Sequence, residues 1–109
     1  MKIVRMNRGE GKTTYLIKKS AELQYPIICC SGKQKELIKD KAKKMELDIP
    51  EPISINSINF KESLRGINYN TELLIDDLDI ILHKILYNKV NIATVSCDVI
   101  TDVNEDEVI

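Results

Sequence analysis

The feature that most constrains this chain is Arg8-Gly9-Glu10-Gly11-Lys12-Thr13-Thr14, a loop with two glycines set between an apolar segment and an amphipathic one. Lys2 to Arg5 carries Ile3 and Val4 between polar neighbours and reads as a short buried strand running straight into the loop. From Lys12 to Leu23, the residues Tyr15, Leu16, Ala21 and Leu23 interleave with Lys18, Lys19 and Glu22, an amphipathic helical pattern that Tyr25-Pro26 ends. Strand, glycine turn and helix in direct succession commit this part of the chain to an α/β unit.

Such a loop can bend so that successive backbone N–H groups point inward, and the helix that begins at Lys12 adds its positive dipole end to the same hollow. A polyphosphate suits that hollow. Lys12 is placed to reach the β and γ phosphates, the Thr13 hydroxyl to coordinate magnesium, and Thr14 to touch the α phosphate, which is the chemistry of a Gly-Lys-Thr ending. The stretch Arg8, Gly9, Glu10, Gly11, Lys12, Thr13 and Thr14 is thus the expected ATP-binding segment. It is a variant of the G-x-x-x-x-G-K-[ST] pattern, because Met6 occupies the first glycine position. Arg8 is read either as a phosphate contact, its own or a neighbouring subunit's, or as a solvated loop charge.

The rest of the chain alternates. Pro26-Ile27-Ile28-Cys29-Cys30 is an apolar run bounded by Pro and by Ser31-Gly32, as a strand buried on both faces requires. Lys33 to Leu47 follows as a second helix through Leu37, Ile38, Ala42 and Met45, broken by Asp48-Ile49-Pro50-Glu51-Pro52. Ile53-Ser54-Ile55 predicts a brief third strand. Between Asn56 and Thr71, Ile58, Phe60, Leu64 and Ile67 fit a short helix, with a loop at Gly66 and Asn68-Tyr69-Asn70. Glu72 to Asp76 predicts a fourth strand, Leu78 to Tyr87 an apolar helix, and Val90 to Ser96 a last strand. Residues 98–109 read as an edge strand or a frayed acidic tail. Strands alternating with helices at this spacing predict a mainly parallel sheet, with ligands beyond the carboxyl ends of its strands.

At that edge Leu73-Leu74-Ile75-Asp76-Asp77 delivers two carboxylates. Asp76 is read as holding magnesium together with Thr13, which requires the two side chains to lie within about 8 Å, because magnesium joins oxygens at about 2 Å each, directly or through a water. Asp77 is read as the group that orients or activates an attacking water. Lys12 and Asp77 are therefore the candidate catalytic pair, and Thr13 and Asp76 the candidate metal pair. The competing reading is a plain acidic start to the next helix.

Across residues 1–97 the chain resembles the additional-strand class of P-loop NTPases, and within it the first RecA-like domain of helicases and small phage-type ATP-binding proteins. RGEGKTT is similar to the helicase nucleotide motif, LLIDDLD to the acidic motif, Ile28 to Gly32 to the following strand and loop, and NIATVSCD to the sensor strand. The resemblance implies a three-layer P-loop NTPase-like sandwich with a mainly parallel sheet of four to five strands, in which strand 91–95 lies between strand 2–5 and strand 72–76 and Ser96 faces the γ phosphate. It implies ATP and Mg²⁺ as ligands. Asp77 stands where the family usually has glutamate, no second RecA-like domain follows, and no arginine occurs after Arg65, so a motor in one chain is not expected.

Composition narrows the remaining choices. The 109 residues suffice for one domain, and 43% hydrophobic with 30% charged residues is an ordinary globular balance. A net charge of −1 provides no global field toward nucleic acid or membrane. The lysines from Lys33 to Lys44, with Lys18 and Lys19, can meet nucleic-acid phosphates, but Glu36, Asp40 and Glu46 interrupt them and aromatics are 5%, so a solvated helix face is the simpler reading. Arg65 is read as a finger toward a neighbour or a surface charge, lone His83 as a packed histidine, and Cys29, Cys30 and Cys97 as buried thiols. The absence of a long apolar run predicts a cytoplasmic protein without membrane contact. The expected function is ATP-Mg binding with slow or partner-dependent hydrolysis in an accessory role, through a protein partner or self-association. The alternative is a phage or mobile-element interaction protein that inhibits a host or defence protein by surface contact, with nucleotide structural or dispensable.

Overall fold

The computed structural model describes residues 1–101; residues 102–109, which hold most of the acidic tail, lie outside the described part. Its elements run β1 (Lys2–Val4), α1 (Lys12–Leu23), β2 (Ile27–Cys29), α2 (Gly32–Lys44), β3 (Ile53–Ser54), α3 (Phe60–Arg65), β4 (Leu74–Ile75), α4 (Leu78–Ile85) and β5 (Asp98–Ile100). This is a mixed α/β fold whose ladders are all parallel.

The core forms where α1 and α2 lie on β2. Ile17, Ile27, Cys29, Ile38 and Ala42 are buried together, with Leu16, Met45, Leu47, Ile49 and Leu74 packed around them. Burying each large aliphatic side chain contributes about 1.5–3 kcal/mol, so this cluster is the main cohesive element of the molecule. The buried stripe of α1 is Tyr15, Ile17 and Ser20, while Leu23 is largely exposed. Gln24 ends α1 in a left-handed conformation, and its amide donates to Ala21 O and Asp48 O, tying the helix end to the loop before β3. Ser31 caps α2 by accepting from the Gln34 N–H. Lys41, Lys43 and Lys44 in the last turn of α2 complement its dipole.

Two sheets result. The larger has the order β3-β2-β4, with Ile28 opposite both Ile53 and Ile75. The smaller pairs β1 with β5, Lys2 against Asp98 through Val4 against Ile100. This corrects the sequence expectation for the last strand: residues 91–95 form no strand, and the partner of β1 is Asp98–Ile100. Both segments set a pair of adjacent apolar residues beside polar ones, and that pattern does not say which of them a neighbouring strand will accept. Ile92 at 82% exposed has nothing to bury against. Ser96 is likewise exposed and outside any strand, so the sheet position expected for a polar sensor is not realised. Folded structure continues past residue 97 to β5, in agreement with the edge-strand reading of this segment.

Candidate functional site

The loop between β1 and α1 is shaped by its glycines. Gly9 and Gly11 have φ of 85° and 90°, a region that side-chain-bearing residues rarely adopt. A Cβ at either would meet nothing within 4 Å, so the loop faces open space and the requirement for glycine is conformational. Inside the turn the Glu10 N–H donates to Asn7 O and the Asn7 N–H donates to Glu10 Oε1 at 3.1 Å, so the N–H and one carboxylate oxygen of Glu10 are engaged within the loop. Arg8 is exposed on the same turn.

Beyond the turn, α1 starts with no side-chain cap at Gly11 and no acidic residue in its first turn. Tyr15 N–H donates to Gly11 O and begins the helical ladder, which leaves the N–H groups of Lys12, Thr13 and Thr14 ahead of it without an intrahelical partner. An anion is the natural complement of such an end.

Opposite this end stands the carboxyl edge of β4. Asp76 is held by its backbone, its N–H donating to Ile28 O at 3.0 Å, and the residue is only 2% exposed. Thr13 Oγ1 donates to Asp76 Oδ2 at 3.2 Å, so the structure places the expected metal pair side by side. Gln34 Nε2 donates to the same oxygen at 3.3 Å. Asp76 Oδ1 is buried with no hydrogen-bond partner. Burial pushes the Asp76 carboxyl above its ordinary value and the Asp77 charge adds to the rise, against the hydrogen bonds from Gln34 and Thr13 and the charge of Lys12. A buried carboxylate with one bare oxygen is the donor that a small hard cation seeks. Among the described residues no three Asp, Glu, His or Cys side chains converge on a point. Magnesium does not need such a cage, since it commonly takes one or two carboxylates and keeps waters or substrate phosphates for its other positions.

Lys12 Nζ meets Asp77 Oδ1 at 2.7 Å, so the candidate catalytic pair forms an ion pair across the mouth of the loop. The hydrogen bond to Asp77 is the largest cause holding the lysine above its ordinary pKa, against desolvation. Asp77 is the cap position of α4, but at φ 57° its carboxylate makes no cap bond and turns to Lys12 instead. Aspartate is among the residues that tolerate this left-handed conformation.

Thr14 stays with the site, half-buried in the first turn of α1, whereas Arg65 ends α3, which packs on β3. Lys35 and Lys39 both meet Glu51, at 3.1 Å each, which neutralises part of the basic α2 face read as a possible nucleic-acid contact. A recess of about 420 Å³ between β3 and α3, lined by Pro50, Pro52, Ile53, Ser57 and Ile67, contains no residue of the loop or of Asp76-Asp77. Gln34 lies outside both motifs, among the lysines at the start of α2. The signal that could have found it is strand order: once β2 neighbours β4, the first turn of α2 must stand at the edge that carries Asp76.

No helix of the described residues is long and apolar enough to cross a membrane. Comparison of the chain with protein-family models, curated proteins and solved structures gives no match.

Proposed function

We propose that this chain binds ATP-Mg²⁺ as a small P-loop protein of the additional-strand class, with a three-layer sandwich built around the parallel strands, and that it hydrolyses the nucleotide slowly or only with a partner. The observation that carries the reading is the buried Asp76 carboxylate, which accepts from the Thr13 hydroxyl on Oδ2 and leaves Oδ1 without a partner, next to the start of a helix whose N–H groups have no side-chain cap. In this reading the N–H groups from Gly9 to Thr14 receive the phosphates, Lys12 takes the β and γ oxygens, and Thr13 and Asp76 hold magnesium, which supplies charge neutralisation to the phosphates. Asp77 orients water only after it releases Lys12. Slow turnover follows from a count of parts: aspartate is one methylene shorter than glutamate, and the added positive charge that stabilises phosphoryl transfer by ~10³–10⁵ in rate has no arginine in an evident position. A neighbouring subunit or a foreign protein can supply that charge.

The test is thermal unfolding with ATP, ADP and GTP, each with Mg²⁺. Wild type should melt higher with millimolar ATP-Mg²⁺ and Lys12→Ala should not; no rise in wild type would remove the reading. A second reading, an interaction protein that inhibits its target by surface contact, is favoured by the exposed apolar side chains of Ile85, Leu86, Tyr87 and Ile92. Retention of a co-purifying host protein by Lys12→Ala would favour it over the first.

A further inference from the structure

We infer that Gln34 is a positioning residue for magnesium: its amide fixes the Asp76 carboxylate so that Oδ1, and not Oδ2, is offered to the cation. This inference rests on the nucleotide reading above and assigns a role to a residue outside both motifs.

The argument begins at the cap of α2. Ser31 accepts from the Gln34 N–H at 3.1 Å, and Ser-x-x-Gln is the spacing at which the glutamine side chain ordinarily turns back to the cap's own N–H. Here the Gln34 amide nitrogen reaches across to Asp76 on another strand, at 3.3 Å. The Thr13 hydroxyl donates to that same oxygen. Two donors therefore share Oδ2 while Oδ1 is buried with none. If their task were only to satisfy a buried carboxylate, one donor on each oxygen would serve better, because a buried acceptor without a partner carries its full desolvation penalty. Doubling on Oδ2 holds the carboxylate against rotation about its last bond and leaves the Oδ1 lone pairs unpaired. Thr13 gives its proton to Oδ2, so the lone pairs of its own Oγ1 are also left for a cation. Outer partners of this kind set metal affinity without touching the metal.

The experiment measures ATP affinity in EDTA and along a Mg²⁺ series for wild type and Gln34→Met, which keeps length and packing but removes the amide. Gln34→Ala tests the same point should the methionine variant fail to fold. The expected result is a half-saturating Mg²⁺ concentration about 10-fold higher in the variant, with ATP affinity in EDTA within about 2-fold of wild type. An unchanged Mg²⁺ midpoint, or an equal loss with and without Mg²⁺, would overturn the role of Gln34 while leaving the nucleotide reading intact. Failure of wild type to bind ATP under either condition would overturn both.

Discussion

Lys12 and Asp77 close on each other at 2.7 Å across the mouth of the glycine loop, so the cation best placed for a phosphate already has an anion on it. If the loop takes a nucleotide as proposed, the nucleotide must displace that carboxylate. Asp77→Asn removes the competitor, and since a partly exposed ion pair is worth about 0.2–1 kcal/mol, ATP-Mg²⁺ should bind roughly 1.5- to 5-fold more tightly in the variant while any hydrolysis falls. Titration calorimetry with ATP-Mg²⁺ checks the affinity, and weaker binding would show that Asp77 assists the ligand rather than opposing it.

Asp76→Asn should stabilise the ligand-free protein and abolish the added stability due to Mg²⁺. The folded-state pKa of Asp76 is raised above the ordinary 3.8, mainly by burial. A raised folded pKa favours the protonated form, so stability is fullest below the ordinary value and declines as pH rises through the folded one. Neutral asparagine avoids that decline, and a gain of about 1 kcal/mol would raise the melting temperature by roughly 4–8 °C in a domain of this size. Melting curves from pH 3 to 8, with and without Mg²⁺ and ATP, provide the check; a less stable variant at pH 7 would contradict it.

Two glycines predict opposite outcomes. Gly11→Ala places a side chain at φ 90° and should cost about 1–2 kcal/mol, with loss of ATP binding, although no atom stands in its way. Gly32 opens α2 with equally open space and no left-handed backbone, so Gly32→Ala should stabilise by about 0.5–1 kcal/mol. Urea unfolding of the two variants beside wild type reads both signs at once.

Burial raises the Cys29 thiol above its ordinary pKa, whereas Cys30 and Cys97 are partly exposed. The thiolate is the reactive form. Iodoacetamide at pH 8 should therefore label Cys30 and Cys97 and spare Cys29 until denaturant is added, as peptide mass spectrometry will report. Early labelling of Cys29 would mean that the α1–β2–α2 core opens readily.

How far this was legible from residues alone depended on whether the determinants were local. The Lys12–Leu23 helix was readable to the residue because a glycine loop starts it and Tyr25-Pro26 stops it. Within it, the core residue Ile17 falls outside the period that Leu16 and Leu23 suggest, because the buried stripe depends on where β2 lies. Thr13 and Asp76 were paired from motif chemistry and lie at hydrogen-bond distance. Gln34 was not, since its contact with Asp76 spans 42 residues and exists only because β2 adjoins β4. The partner of β1 is not legible for the same reason: two short, mixed segments compete, and register with a distant strand decides between them.

The backbone pairing of β1 with β5, separate from β3-β2-β4, has a consequence for how the molecule breathes. A two-stranded ladder is marginal by itself, so the β1–β5 ribbon can open without disturbing the larger sheet. Its amides should exchange with deuterium well before those of Ile27–Cys29. The glycine loop joins the ribbon to α1, so a ligand gripping that loop would act as a rivet between a loose part and a firm one. Millimolar ATP-Mg²⁺ should then slow exchange at Lys2–Val4 and Asp98–Ile100 more than in β2, and equal slowing throughout would show that the molecule opens as a single unit.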